Sequence, residues 1–359
     1  DEHYNEFPAK VTGNDCFTSS PSINDWYETV KLNYGVDYTT GWCHFDPIPD
    51  TWYKMRDILL FWAAKGVDAF RCDMAEMVPV EFWEWCIAQV QERYPEMIFI
   101  AEVYNPNQYY NYVKRGGFTY LYDKVGLYDT LKDVINGHHT GAITKWWQSI
   151  GHVKENMLHF TENHDEQRIA SEFFAGNPRK AIPALITSAC MNTNPMMIYF
   201  GQELGEKGMD EEGFSGRDGR TTIFDYWTVD TIRRWRNGGK FDGALLTDAE
   251  KKLRDYYAQV LDMSETEPAF KEGLFWDLMY VNAHLDRQYA FLRSDKKKTY
   301  LVVANFSEEP VTTEIRIPAD AVRALSPELD KVKNNLAHDV VVSVKVKPWD
   351  GVVKKIKLQ

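Results

Sequence analysis

GVDAFRCD at residues 66–73, MIFIAEV at 97–103 and MLHFTENHD at 157–165 decide the reading of this chain. Each is a short apolar run that meets a carboxylate at or just past its end. Short runs rich in apolar and β-branched residues, bounded by glycine or polar turn signals, read as strands. Helical spacing of apolar residues lies between and beyond them, at 51–65, 78–94, 106–115, 126–136, 178–192 and 248–263. Asp50 is placed to cap the first of these helices and Gly66 to stop it, and Pro79 falls in the first turn of the second. FTYLYD at 118–123 and MMIYFG at 196–201 supply two more strands. Strands alternating with helices predict parallel βα units and an α/β fold.

Side chains alternate along a strand, so Arg71 and Asp73 share one face while Phe70 and Cys72 point to the covering helices. Two charges on a buried strand are costly unless they pair or act, and a structural ion pair is the plain alternative. Their place at the C-terminal end favours action, because ligands bind at the carboxyl ends of parallel strands. Glu102 ends the next strand, and His164 and Asp165 follow the third run. One acid after a strand is ordinarily a cap or a solvated group. Three at matching places predict a common rim.

Such a set suits retaining glycoside hydrolysis, in which one carboxylate attacks while a second carboxyl delivers a proton and later recovers it. Arg71 favours the ionised form of Asp73, the nucleophile. Glu102, among apolar residues and facing other acids, is suited to hold the proton.

GVDAFRCD, the IAEVY around Glu102, and FTENHD resemble three of the four signature motifs of the α-amylase family, in that family's order. SPSIND at 20–25 is similar to its auxiliary motif and IYFGQELG at 198–205 to its eighth-strand motif. The resemblance implies a (β/α)8 TIM barrel of which this chain carries strands four to eight. It implies Asp73 as nucleophile, Glu102 as acid/base, and Asp165 as the acid that binds the sugar 2- and 3-hydroxyls. It also implies Arg71 and His164 as supports of the −1 subsite, with Tyr104 lining +1 or merely packing the rim. Two departures stand out. Glu76 and Met77 occupy the places where many members carry Lys-His, which bears on acceptor contacts. The family's first motif, whose Asn often binds Ca²⁺, is not in this chain. The chemistry itself needs no cofactor, and the residues before Asp1 are expected to be the missing barrel part and a partner of this one.

On this reading residues 1–49 are a loop after the third barrel strand, 50–264 are barrel, and 275–359 form an antiparallel β-sandwich of short strands. The polar, glycine-rich stretch 203–247 follows the last strand and so lies at the rim, where Asp225, Tyr226 and Trp227 are candidate sugar contacts. Its bland alternative is a solvated excursion.

A formal charge of −12 argues against nucleic acid as a partner. The 12 Trp, 20 Tyr and 19 Phe suit either a ring-rich core or a sugar-binding surface. Five cysteines match no metal or disulfide framework: Cys72, Cys86 and Cys190 are expected to be buried, and Cys16 and Cys43 lie in loop-like stretches where they could pair. No run is long and apolar enough to span a membrane. Export, to the periplasm, cell surface or medium, is the favoured location because glycan-degrading members are often exported.

The expected function is therefore hydrolysis of α-1,4-glucans such as starch and maltodextrins. A transglycosidase is the alternative, since water or a sugar hydroxyl can resolve the same intermediate. A non-catalytic glycan binder is disfavoured by the presence of all three acids. An unrelated metal-dependent barrel is disfavoured because the strand ends offer no ligand spacing beyond His164–Asp165.

Overall fold

The computed structural model describes residues 12–14, 16–17, 20–27, 29–224, 226–326 and 337–358. The chain divides into two compact units, Asp1–Leu121 and Tyr122–Gln359.

The first unit begins with a two-strand ladder, β1 (Val36–Asp37) against β2 (Trp42–Cys43), within the stretch expected to be loop. Helix α1 (Asp50–Ala63) follows. Asp50 is its first residue and not its cap: Pro49 holds the cap position without a side-chain hydrogen bond. Strand β3 (Ala69–Cys72), helix α2 (Val80–Arg93) and strand β4 (Ile98–Ala101) form a βαβ unit whose strands pair in parallel, Phe70 with Phe99 and Arg71 with Ile100. A short helix α3 (Tyr109–Lys114) leads to β5 (Tyr120–Tyr122), which pairs in parallel with β4.

Much of the aromatic content goes into packing here. The Phe82 ring meets Tyr34, Trp52 and Trp83 edge-on at centroid distances of 5.0, 5.6 and 5.0 Å. Trp83 meets Phe118 at 4.9 Å, and its indole N–H donates to the Ala75 carbonyl. Such edge-to-face pairs add to plain burial. They clamp α2 under the two site-bearing strands and anchor the loop just beyond β3.

In the second unit α4 (Asp129–Ile135) follows a single wide helical turn, and α5 (Gly141–Ser149) precedes β6 (Met157–Phe160). Helix α6 (Ile182–Cys190), buried along its whole length, leads to β7 (Met196–Met197), paired in parallel with β6. The stretch 203–247, which carries no helical signal in the sequence, holds a short helix α7 (Asp230–Arg236). Helix α8 (Asp248–Thr266) starts with a reciprocal cap, in which Thr247 accepts from the Glu250 N–H and Glu250 from the Thr247 N–H. After α9 (Pro268–Lys271) come the six expected strands.

Four of these strands form one antiparallel sheet, β8 (Leu274–Asp277), β9 (Gln288–Ser294), β10 (Thr299–Asn305) and β13 (Asp350–Ile356), in the order β13-β10-β9-β8. The other two, β11 (Val311–Ile317) and β12 (Val340–Val346), form a separate ladder, with α10 (Ala319–Leu325) after β11. One apolar core joins α4, α6 and α8 to this sheet through Leu185, Ile186, Tyr257, Phe291, Val302 and Val303. The C-terminal strands are thus packed on the later helices of their own unit.

The pairing expected of Cys16 and Cys43 is not formed: no cysteine is in a disulfide, and Cys43 is exposed. Cys72, Cys86 and Cys190 are buried as expected, and burial pushes each thiol up to about 12, which makes them inert packing groups.

Candidate active site

In the first unit, β3 and β4 run side by side in parallel and end at the same level, where the Glu102 N–H donates to the Cys72 carbonyl. That register sets Asp73 and Glu102 immediately past two adjacent strand ends. Arg71 projects from near the end of β3 and binds both acids. Its Nη1 pairs with Asp73 Oδ1, and its Nη2 lies 3.2 Å from Glu102 Oε2, an ion-pair contact. The three side chains differ sharply in exposure: 71% for Asp73, 26% for Arg71 and 6% for Glu102. An open carboxylate and a sheltered carboxyl, held by one guanidinium, are the asymmetry that a nucleophile and a proton donor need.

Two further groups grip Glu102. The Met74 backbone N–H donates to Oε2 at 2.8 Å, and the Tyr104 hydroxyl donates to Oε1 at 2.6 Å. Met74 is in the left-handed region, φ 42°. A non-glycine residue adopts that conformation at a cost, and such positions recur at functional sites. Here the turn aims an N–H back at the acid on the neighbouring strand. Sequence reasoning missed Met74 because its contribution is a backbone group in a rare conformation, which no residue spacing encodes. Tyr104, expected either to line +1 or to pack the rim, donates to the Glu102 carboxyl.

Glu76 and Met77, where a Lys-His pair was the expected pattern, have local partners. Glu76 Oε2 accepts the Asn105 N–H at 3.1 Å, tying the loop after β3 to the loop after β4. The Met77 carbonyl accepts from the Tyr38 hydroxyl, and Tyr112 donates to the carbonyls of Glu76 and Val78.

In the second unit, His164 and Asp165 follow β6. His164 Nε2 lies 3.2 Å from Asp165 Oδ2. The side chain of Asn163 accepts the N–H groups of Asp165 and Glu166 at 2.9 Å, and Arg220 donates to the Asp165 carbonyl at 2.8 Å. The backbone of Asp165 is therefore pinned from both sides, while its side chain keeps 29% exposure. Beneath it Glu162 and Arg168 form a buried ion pair at 3.0 Å. The Arg168 guanidinium lies over the Tyr199 ring at 4.2 Å and donates to the Phe200 carbonyl. Within IYFGQELG, Gln202 donates to Thr161 and to the Tyr257 hydroxyl, so that motif fixes the end of β6 from behind.

Of the three candidate sugar contacts in 203–247, Asp225 lies outside the described residues. Tyr226 is fully exposed and Trp227 is 38% exposed. Trp227 donates its indole N–H to Thr222. Among the described residues no group of three His, Cys, Asp or Glu side chains is set to hold a metal ion. No helix among them is long and apolar enough to cross a membrane.

Comparisons with known proteins bear on the family and the fold. The α-amylase catalytic-domain family matches residues 48–255. The α-1,4-glucan:maltose-1-phosphate maltosyltransferase of Cereibacter sphaeroides is 47% identical over 57 residues, which is 16% of this chain and 10% of that protein. The enzyme of the same name from Picrophilus torridus is 22% identical over 313 residues, 86% of this chain and 43% of that protein. The chain thus spans less than half the length of these curated relatives. The crystal structure of an α-amylase from Geobacillus thermoleovorans superposes with a TM-score of 0.63 at 17% identity, covering 91% of this chain and 71% of that one. The fold is the one expected from the sequence, strands four to eight of a (β/α)8 barrel followed by an antiparallel β domain. The chain belongs to the α-amylase family.

Proposed function

We propose that this chain carries the reacting groups of a retaining α-glucan-active enzyme that works by double displacement. The observation that carries the reading is Arg71 bound to both Asp73 and Glu102 at two adjacent strand ends. Asp73, the more open carboxylate, attacks the anomeric carbon. Glu102, sheltered and gripped on both oxygens, gives its proton to the departing oxygen and then takes one from the acceptor. Asp165 binds the sugar 2- and 3-hydroxyls, with His164 beside it, and Arg71 pairs with Asp73. An α-glucan is the partner, no cofactor enters the chemistry, and export remains the favoured location.

Transfer to a glucan acceptor is the favoured outcome, for a reason outside the acids themselves. The curated relatives are named as maltosyltransferases with maltose 1-phosphate and α-1,4-glucan as substrates. Glu76 in place of a basic residue, tied to Asn105, also changes the acceptor side from the pattern of many starch hydrolases. Hydrolysis of α-1,4-glucans is the second reading, kept by the family match itself.

The test incubates the full-length protein with maltose 1-phosphate and a maltooligosaccharide, and separately with maltoheptaose in water. Phosphate release with chain growth in maltosyl steps supports transfer. Reducing sugar from maltoheptaose alone supports hydrolysis. Loss of either activity in Asp73→Asn ties it to this site, and equal rates in wild type and variant defeat both readings.

A further inference from the structure

The two oxygens of Glu102 are not equivalent. Oε2 faces the Met74 N–H at 2.8 Å and the Arg71 guanidinium at 3.2 Å, both of which can only donate. Oε1 faces the Tyr104 hydroxyl at 2.6 Å, which can donate or accept. A proton on Oε2 would be directed at two donors. A proton on Oε1 meets an oxygen able to receive it.

From this the geometry points to Tyr104 as a positioning residue for the acid/base step, one that makes Oε1 the proton-bearing oxygen of Glu102 by reversing the direction of a single hydrogen bond. The inference rests on the double-displacement reading above and deepens it.

In the acid form Glu102 carries its proton on Oε1, with Tyr104 accepting. As the bond between the anomeric carbon and the leaving oxygen breaks, its electron pair stays on that oxygen, which takes the Oε1 proton. The Asp73 carboxylate bonds to the anomeric carbon. Glu102 is now an anion, and the Tyr104 O–H turns to donate to Oε1, the arrangement seen in the structure. In the second half Oε1 takes the proton of the acceptor hydroxyl, the acceptor oxygen bonds to the anomeric carbon, Asp73 departs, and Tyr104 turns back. The phenol proton never leaves Tyr104. The Met74 N–H and Arg71 stay on Oε2 throughout and hold the carboxyl plane, so only Oε1 is presented for proton transfer.

A merely structural tyrosine predicts something different. Loss of packing slows every substrate alike. Loss of proton placement slows only those whose leaving group needs a proton. Cleavage of maltoheptaose expels a sugar oxygen that needs the acid's proton, whereas cleavage of α-maltosyl fluoride expels fluoride, which does not.

The experiment measures kcat/KM on both substrates, with phosphate present as an acceptor alongside water, for full-length wild type, Tyr104→Phe and Glu102→Gln, with thermal midpoints alongside. Tyr104→Phe removes one oxygen and keeps the ring. The expected result is a loss on maltoheptaose roughly 10- to 100-fold greater than on the fluoride, the size of a hydrogen bond to a charged group. The Glu102→Gln loss is expected to be larger and to favour the same substrate. An equal loss on both substrates in Tyr104→Phe, or none, overturns the assignment of Tyr104 while Glu102→Gln still upholds the double-displacement reading. Failure of Glu102→Gln to discriminate between the substrates brings down that reading and this inference together.

Discussion

Two arginine–carboxylate clusters occupy comparable places in the two units, each near the end of a parallel strand, and they are built for opposite ends. Arg168 is fully buried, and Glu162 keeps 3% side-chain exposure. Every direction of that guanidinium is used, toward Glu162, the Thr221 hydroxyl, the Phe200 carbonyl and the Tyr199 ring. Glu162 accepts in addition the Ile169 N–H. Burial pushes the Glu162 carboxyl up by more than Arg168 and the Ile169 N–H draw it down, so it stays raised. Arg71 grips two acids and leaves one of them, Asp73, largely open to water. The same ion chemistry is a closed joint in one unit and a loaded site in the other. The difference lies in whether any lone pair is left facing outward.

That contrast predicts opposite responses to removal of a charge. The largest effect is expected in Asp73→Asn and Glu102→Gln, which should lose about 10²- to 10⁴-fold or more in turnover on a glucan whose leaving group needs the acid. Their thermal midpoints should stay close to wild type. A large drop in midpoint with modest loss of turnover would make this cluster structural as well.

Arg168→Met should do the reverse. Taking one partner from a buried pair leaves an uncompensated carboxylate and costs about 3–5 kcal/mol. Denaturant unfolding reads this directly, and a change under about 1 kcal/mol would show that Glu162 simply takes up a proton without strain.

A finer contrast lies within the second unit, between Asp123 and His159, whose side chains approach to 3.8 Å. Burial drives them in opposite directions, Asp123 up to about 7 and His159 down to about 4. The folded state therefore refuses a proton at His159 that the unfolded chain binds below about pH 6.5. Stability from this group is lost as pH falls from 6.5 toward 4. Asp123 works the other way: the folded state keeps a proton that the unfolded chain releases above about pH 4, so stability is lost as pH rises from 4 toward 7. Over these ranges the change amounts to about 3 kcal/mol for His159 and about 4 kcal/mol for Asp123. The stability gap between wild type and His159→Gln should narrow on acidification through that range. A gap independent of pH would contradict the buried neutral histidine.

The smallest expected effect is at the reciprocal cap of α8. Thr247→Ala should cost about 1 kcal/mol, read as a lower denaturation midpoint with turnover unchanged.

The same two regions explain what the sequence made legible. GVDAFRCD and IFIAE announce themselves because strand alternation is strict: a charge two residues from another, on a run otherwise apolar, has to share its face. The C-terminal strands were readable for a related reason, since turn residues punctuate each one, although their division into a four-stranded sheet and a separate ladder is set by packing that no local pattern contains. Helix α7 was hidden because it buries no residue. It is held at its surface by Arg234, which reaches Asp230 within the helix and Glu250 of α8, both at 2.6 Å, and such charge pairs give no apolar periodicity. Helix α5 was missed similarly, with Ile143 its one buried residue. The strand-end acids themselves were placed from the residues, but the grip on Glu102 by a backbone N–H from a left-handed Met74 lay beyond any spacing argument. The proposed pairing of Cys16 with Cys43 failed because loop residues of similar composition carry no distance information.

Double displacement stands or falls on covalent attachment of sugar to Asp73. Glu102→Gln in the full-length protein, incubated with α-maltosyl fluoride, tests it most directly, because fluoride departs without an acid while release of the attached sugar is slowed by loss of the base. Mass spectrometry of the quenched, digested protein should find a maltosyl group on the peptide containing Asp73. Consumption of the fluoride with no adduct, or an adduct on another carboxylate, would contradict the account.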